Sequence, residues 1–356
     1  MHDAPVGKPQ ESLVPTHSPD ASVSTLVLAQ LRAEVKELRT QLNILEKHIK
    51  NTSIRGRLRR LSAKVIGAQL HIFEQYRPRP LVVPARYHRP LPLENPPLIS
   101  IVTPSYNQGR FLEKTIRSVL DQNYPRLEYA IQDGGSQDDT QQVLDRYRDR
   151  LAHVESRKDR GQANAINLGF AHATQGEIMA YLNSDDLLLP GSLNYVAAYF
   201  AAHPDVDVVY GHRVIVDWIG KEIGRWVLPR HSDRMLIWAD YVPQETLFWR
   251  RSIWEKAGGK IDESFQFALD WDLLLRFRAA GAKFVRLPRF LGAFRVHDTQ
   301  KTSADMVATG VPEMMKLRFR IHGRDTDLQD IRRNLNGYML RHAWLNFLYH
   351  YGLARM

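Results

Sequence analysis

"LISIVTPSYNQGRFLEKTIRSVLDQ" (98–122) changes its period partway along. Leu98–Pro104 is a short apolar run, as in a strand buried on both faces, and after the polar break "SYNQG" the apolar residues return at helical spacing. The alternation then continues. "LEYAIQD" (127–133), "AHVESR" (152–157), "EIMAYLNSDD" (177–186) and "DVDVVYG" (205–211) read as strands. "TQQVLDRYRDR" (140–150), "QANAINLGFAHA" (162–173) and "SLNYVAAYFAAH" (192–203) read as the helices between them. Strand and helix in turn, over short connections, predict an α/β fold with a doubly wound, mostly parallel sheet.

The 356 residues are 44% hydrophobic, enough for a large core. No apolar run approaches the roughly 20 residues of a membrane-spanning helix, and the first residues lack a signal-peptide pattern. The expectation is a cytoplasmic protein. Without cysteine, disulfides and thiolate metal sites are excluded, so a metal would sit on oxygen or imidazole ligands. The net charge of +10 suits an anionic partner, whether nucleic acid, an acidic membrane or a phosphorylated substrate, without ranking them.

Residues 1–21 are rich in Pro, Ser, Asp and His without periodicity and read as a disordered leader. In the segment 22–76, Leu28, Leu31, Val35, Leu38, Leu42, Leu45 and Ile49 keep the rhythm of a coiled coil, which would make a homo-oligomer. A single amphipathic helix packed on its own domain gives the same spacing. Ile54, Leu58, Leu61, Val65 and Phe73 follow beside Arg55, Arg57, Arg59, Arg60 and Lys64, a stripe suited to an anionic membrane surface or to plain solvation. Seven prolines in 77–97 predict an extended linker. The remaining boundaries are two halves of the main domain at 98–212 and 213–310 and a helical C-terminal tail at 311–356.

Ligands of open α/β sheets bind beyond the carboxyl ends of the strands. Ser105, Tyr106 and Asn107 follow the first strand, Asp133 ends the second, "KDRGQ" follows the third, and Asn183, Asp185 and Asp186 follow the fourth. Neither a P-loop nor a G-x-G-x-x-G turn is present, so phosphate must be handled otherwise. A divalent cation, Mg²⁺ or Mn²⁺, held by the paired aspartates would meet a diphosphate. Asp133 is placed to accept hydrogen bonds from a ligand, whereas Ser136 reads as a helix cap with Asp138 and Asp139 behind it.

"ISIVTPSYNQGRFLEKTIRSVLDQNYP", "QDGGSQDDT", "DRGQANAINLGF" and "YLNSDDLLLPGSL" resemble, in order and spacing, the family 2 glycosyltransferases, nucleotide-sugar enzymes of the GT-A fold. The resemblance covers about 98–300 and would make 98–212 the nucleotide-sugar-binding half and 213–310 the acceptor-binding half with the catalytic base. It implies a donor side of Pro104, Tyr106, Asn107, Asp133, Gln162, Asn167, Asn183, Asp185 and Arg295, with Tyr106 and Asp133 at the base and Asp185 near ribose and diphosphate. Asp186 would be the metal ligand, joined by Asp185 and by His297 of the closing "RVH". Asn183 departs from the family, standing where many members carry the first Asp of Asp-x-Asp. Gln244, Glu245 and Trp271 fall on the acceptor side, while Trp249 and Trp254 are as readily core residues.

An inverting member needs a carboxylate to take the acceptor's proton. In "QFALDWDLLLRFRAAG", Asp270 and Asp272 leave a helix on nearly opposite sides. Asp272 is spaced for a surface ion pair with Arg276. Asp270 falls on the side of Leu273, Leu274 and Phe277, and the family pattern also maps the base onto it. The expected activity is inverting transfer from a UDP-linked sugar to a saccharide or lipid-linked acceptor, in cell-surface polysaccharide or glycolipid synthesis, peripheral to the membrane's inner face and without nucleic acid. The alternatives are a non-catalytic scaffold with a vestigial nucleotide site and a sugar-nucleotide pyrophosphorylase.

Overall fold

The structure, a computed structural model, describes residues 75–298, 306–354 and 356. These lie within one compact unit, 67–356. The expected leader and coiled coil, and the basic stripe up to residue 74, fall outside the described residues.

Along the chain run β1 (Ile99–Ser105), α1 (Gly109–Leu120), β2 (Leu127–Asp133), α2 (Thr140–Tyr147), β3 (His153–Ser156) and α3 (Gln162–His172). Then come β4 (Ile178–Tyr181), β5 (Leu187–Leu188), α4 (Ser192–Ala202), β6 (Val208–Val216), β7 (Glu222–Trp226) and α5 (Asp233–Leu236). β8 (Phe248–Arg250), α6 (Arg251–Lys256), α7 (Leu269–Ala279), β9 (Phe284–Arg295), α8 (Val311–His322) and α9 (Leu328–His350) complete the order. The helices and strands expected between 98 and 211 are all present.

One sheet runs in the order β3-β2-β1-β4-β8-β6-β9-β5, with β7 on β6. The first four strands are parallel, but β8 runs antiparallel to both β4 and β6, and β5 and β7 are also antiparallel to their partners. The sheet is therefore mixed, not mostly parallel. Its doubly wound character holds because β1 alternates: Ile99 and Ile101 join the core under α1 and α4, while Val102 joins the core under α3 and α7. Because β6 crosses residues 212 and 213 and pairs on both sides, the two expected halves share one sheet.

The proline-rich stretch is docked and is no free linker. Arg79 pairs with Glu222 as an isolated bridge, and buried Tyr87 uses its hydroxyl to accept the Phe290 N–H at 3.0 Å. The helical tail packs one side of α9 through Leu335 and Tyr338, leaving Leu340 and Trp344 exposed. No described helix is long and apolar enough to cross a membrane.

The Asp272–Arg276 pair forms at 2.8 Å, yet Asp272 is fully buried, because α8 also brings Arg320 to within 2.6 Å of it. This corrects the surface reading. Removing one partner of a buried pair leaves the other charge uncompensated. Asp272→Asn is expected to cost about 3 kcal/mol, measured by denaturant unfolding; a loss within 0.5 kcal/mol, about the surface-substitution range, would mean that the pair is effectively solvent-screened.

Candidate active site

β2 ends at Asp133, in register with Ser105 at the end of β1. The Asp133 carboxylate is fully buried and accepts the Gly135 N–H (3.1 Å), the Ser136 N–H (2.9 Å) and the hydroxyls of Ser136 (2.5 Å) and Ser156 (2.7 Å). Gly135 turns at φ +82°, which costs a glycine little. Asp133 thus closes its own turn and ties it to β3. Ser136 belongs to this turn and does not cap a helix: it also accepts the Asn107 N–H (2.7 Å), while Asn107 Oδ1 accepts the Gln137 N–H (2.9 Å). Asp138 serves two helix starts, accepting the N–H of Gly109 (2.9 Å) and of Thr140 (3.1 Å). Pro104 is buried within β1, whereas Tyr106, two residues on, is 62% exposed.

The strand β4 stops at Tyr181, so both aspartates lie in the turn that follows. The Thr115 hydroxyl from α1 lies 2.8 Å from the carbonyl oxygens of both Ser184 and Asp186. From β9, buried Arg295 donates its N–H to Asp186 Oδ1 (3.0 Å) and its Nε–H to the Asp185 carbonyl (2.8 Å). The consecutive side chains consequently diverge. Asp186 is 2% exposed, and burial first, then Asp185 and Glu245, hold its carboxyl well above the usual carboxylate range. Asp185 Oδ2 instead lies 2.9 Å from His297 Nε2, beside the Phe111 ring.

Asp186 does not converge with Asp185 and His297 into a three-residue ligand set. The pair Asp185 and His297 does fit an ion: neighbouring ligands at right angles on an ion with bonds of about 2.1 Å stand about 3 Å apart. Arg295, expected at the donor phosphate, is a buried clamp on the backbone of this turn, its Nη1 also 3.4 and 3.3 Å from the carbonyls of Asp217 and Trp218.

Asn183 joins two side chains from distant parts of the sequence. Its Oδ1 accepts from Gln162 Nε2 (2.8 Å), its Nδ2 donates to Gln244 Oε1 (3.2 Å), and Gln244 Nε2 donates to the Tyr181 carbonyl (2.7 Å). An ionised aspartate only accepts and could not donate to Gln244, which accounts for an amide here. Asn167 is elsewhere: it holds Ile261 through its amide, donating at 2.9 Å and accepting at 2.8 Å. Five residues along α3 rotate it by about 140° from Gln162, so the two cannot share the donor side.

Glu245 is buried and forms a two-pronged ion pair with Arg213 of β6, at 2.7 and 2.5 Å. Asp270, second in α7, is partly exposed, and its Oδ1 accepts the Trp271 N–H (2.9 Å). Burial pushes its carboxyl up to about 6, aided by Glu245 and opposed by that N–H and by Arg213. Asp240, which the sequence reading misses, belongs to the same group: burial and then Asp270 hold its carboxyl well above the usual range, and its Oδ1 is buried without a hydrogen-bond partner. Its only sequence signal is an acid within the apolar stretch preceding Gln244. Trp271 is corrected to a core residue, fully buried with its Nε1–H on the Leu236 carbonyl (2.8 Å). Trp249 and Trp254 are core residues too.

The family model for glycosyl transferase family 2 matches residues 100–256. An uncharacterized glycosyltransferase of Mycobacterium tuberculosis is 30% identical over 182 residues, 51% of this chain and 68% of that protein. The chain spans between 36% and 68% of the length of the first curated relatives it matches. Among solved structures, S. aureus TarS in complex with UDP-GlcNAc superposes with a TM-score of 0.54 at 19% identity, covering 69% of this chain and 72% of that one. The mannosyltransferase PcManGT from Pyrobaculum calidifontis, in complex with GDP-Man and Mn²⁺, gives 0.50 at 18% identity over 74% and 77%. These two share the fold, and the sequence relationship fixes the rest: the chain belongs to glycosyl transferase family 2.

Proposed function

We propose that this chain transfers a sugar from a nucleotide-diphosphate donor, UDP-linked, to a hydroxyl of a saccharide or lipid-linked acceptor, with inversion at the anomeric carbon. The observation that carries the reading is Asp270: a carboxylate at a helix start, partly exposed, which burial pushes up to about 6. Such a group is ionised at neutral pH yet basic enough to accept a proton. The acceptor oxygen attacks the anomeric carbon, its proton passes to Asp270, and the bond to the diphosphate breaks as the nucleoside diphosphate leaves. Tyr106 gives the base an aromatic face, and the Gln162–Asn183–Gln244 amides shape the floor between donor and acceptor.

Asp185 and His297 would hold a divalent cation, which when bound neutralises charge on the departing diphosphate. TarS in complex with UDP-GlcNAc and PcManGT in complex with GDP-Man and Mn²⁺ support a nucleotide-sugar donor and a cation. Asp186 then acts from behind, fixing the Arg295 backbone that carries His297.

Asp270→Asn is expected to abolish transfer, followed as nucleoside diphosphate release across a donor panel, while calorimetry still detects nucleotide binding; near-normal turnover would sink the assignment. In the wild type, protonating the base removes it, so kcat/KM should fall about tenfold per pH unit below pH 6 and level off above it. A profile flat down to pH 4.5 would exclude Asp270 as the base. His297→Ala should raise the Mn²⁺ concentration giving half-maximal transfer by about tenfold or more. An unchanged requirement would remove His297 from the cation site.

A further inference from the structure

We infer that His153, Glu155 and His172 form a second metal site, selective for a borderline transition ion such as Zn²⁺ and separate from the candidate active site. One ligand atom from each of the three side chains lies within 4.8 Å of the others, the one such group among the described residues. His153 and Glu155 are two apart on β3 and therefore share a face. His172 is the last residue of α3, which covers that face, and its ring stacks on His153 with centroids 3.7 Å apart.

Several polar atoms at this place lack partners. His153 Nε2 and Glu155 Oε2 are buried without a hydrogen bond. On β2, Gln132 lies opposite Glu155 in register, is fully buried, and has neither amide atom satisfied. Buried polar atoms are seldom left so, and a cluster of them indicates an absent ion or its water.

The donor set fits. Two imidazoles and a carboxylate, with a fourth position open to solvent, are what Zn²⁺ accepts. Bonds of 2.0–2.1 Å set tetrahedral ligands roughly 3.4 Å apart, a closure that rotation of the exposed His172 supplies. The C-terminal end of α3 adds a favourable partial charge for a cation. Arg157 Nε lies 3.1 Å from Glu155 Oε1, leaving Oε2 available, and at 56% exposure its charge is largely screened. Gln162 and His172 occupy opposite ends of α3, about 15 Å apart, so the site stands clear of Asn183, which Gln162 holds. Its occupation would pin the edge strand β3 to α3.

Calorimetric titration of the untagged full-length chain with ZnCl₂, without nucleotide, tests the site. At least one equivalent is expected to bind, and the equivalent held here to bind with unchanged affinity in Asp185→Asn. Since outer-shell partners alone contribute about 10- to 100-fold in metal affinity, His172→Ala should weaken binding by about 100-fold and abolish a Zn²⁺-dependent rise in melting temperature. Glu155→Gln should weaken it too; His172 is exposed, so its replacement leaves the fold intact. No binding by the wild type, or affinity unchanged in both variants, would overturn the site whatever the fate of the transferase reading.

Discussion

The buried ion pair between Arg213 and Glu245 sets the electrostatics of the crevice. Its guanidinium opposes the raised pKa of Asp186, Asp240 and Asp270, while Glu245 works the other way on Asp186 and Asp270. Burial, the dominant cause for each of these carboxyls, would without that cation favour protonation throughout. Asp270 is the one for which the shift stops at about 6. An acid neutral below that value and ionised above it is matched to proton transfer near neutrality. Asp186 and Asp240, more strongly shifted, are matched to structure and to field.

The turn after β4 shows how the scaffold assigns roles to adjacent residues. Thr115 from α1 and Arg295 from β9 hold its backbone from two directions, so Asp185 and Asp186 cannot both face the same way. One faces His297 and the other turns inward. A helix and a strand distant in sequence are needed to fix this, which makes the site a property of the whole sheet.

The parallel half of the sheet was readable from sequence because its strands and helices are short, regular and separated by clear turns. The antiparallel half was not: β8 has three residues and β5 two, too few for a period to declare itself. Docking of Tyr87 was hidden by the surrounding prolines. Helical spacing and family pattern both point to Asp270 but set it on the inward, apolar side, whereas it is partly exposed; the same spacing puts Asp272 on the surface, since nothing local announces that α8 will cover it. The sequence sets Asn183, Asp185 and Asp186 at one strand end and Gln244 in the acceptor-side segment, whereas the Asn183–Gln244 hydrogen bond, Asp240 and the inward turn of Asp186 depend on contacts made across the sheet. Trp271 and Asn167 show the converse: a motif position does not dictate which way a side chain points.

The proposed proton transfer depends on Asp270 having the pKa of a base while the acids around it do not. Titration of its carboxyl by ¹³C NMR, assigned by comparison with Asp270→Asn, measures this directly. The midpoint is expected near pH 6, well above the ordinary aspartate value of about 3.9. A midpoint at or below that ordinary value would show that the crevice does not tune Asp270, and would contradict the mechanism built on it.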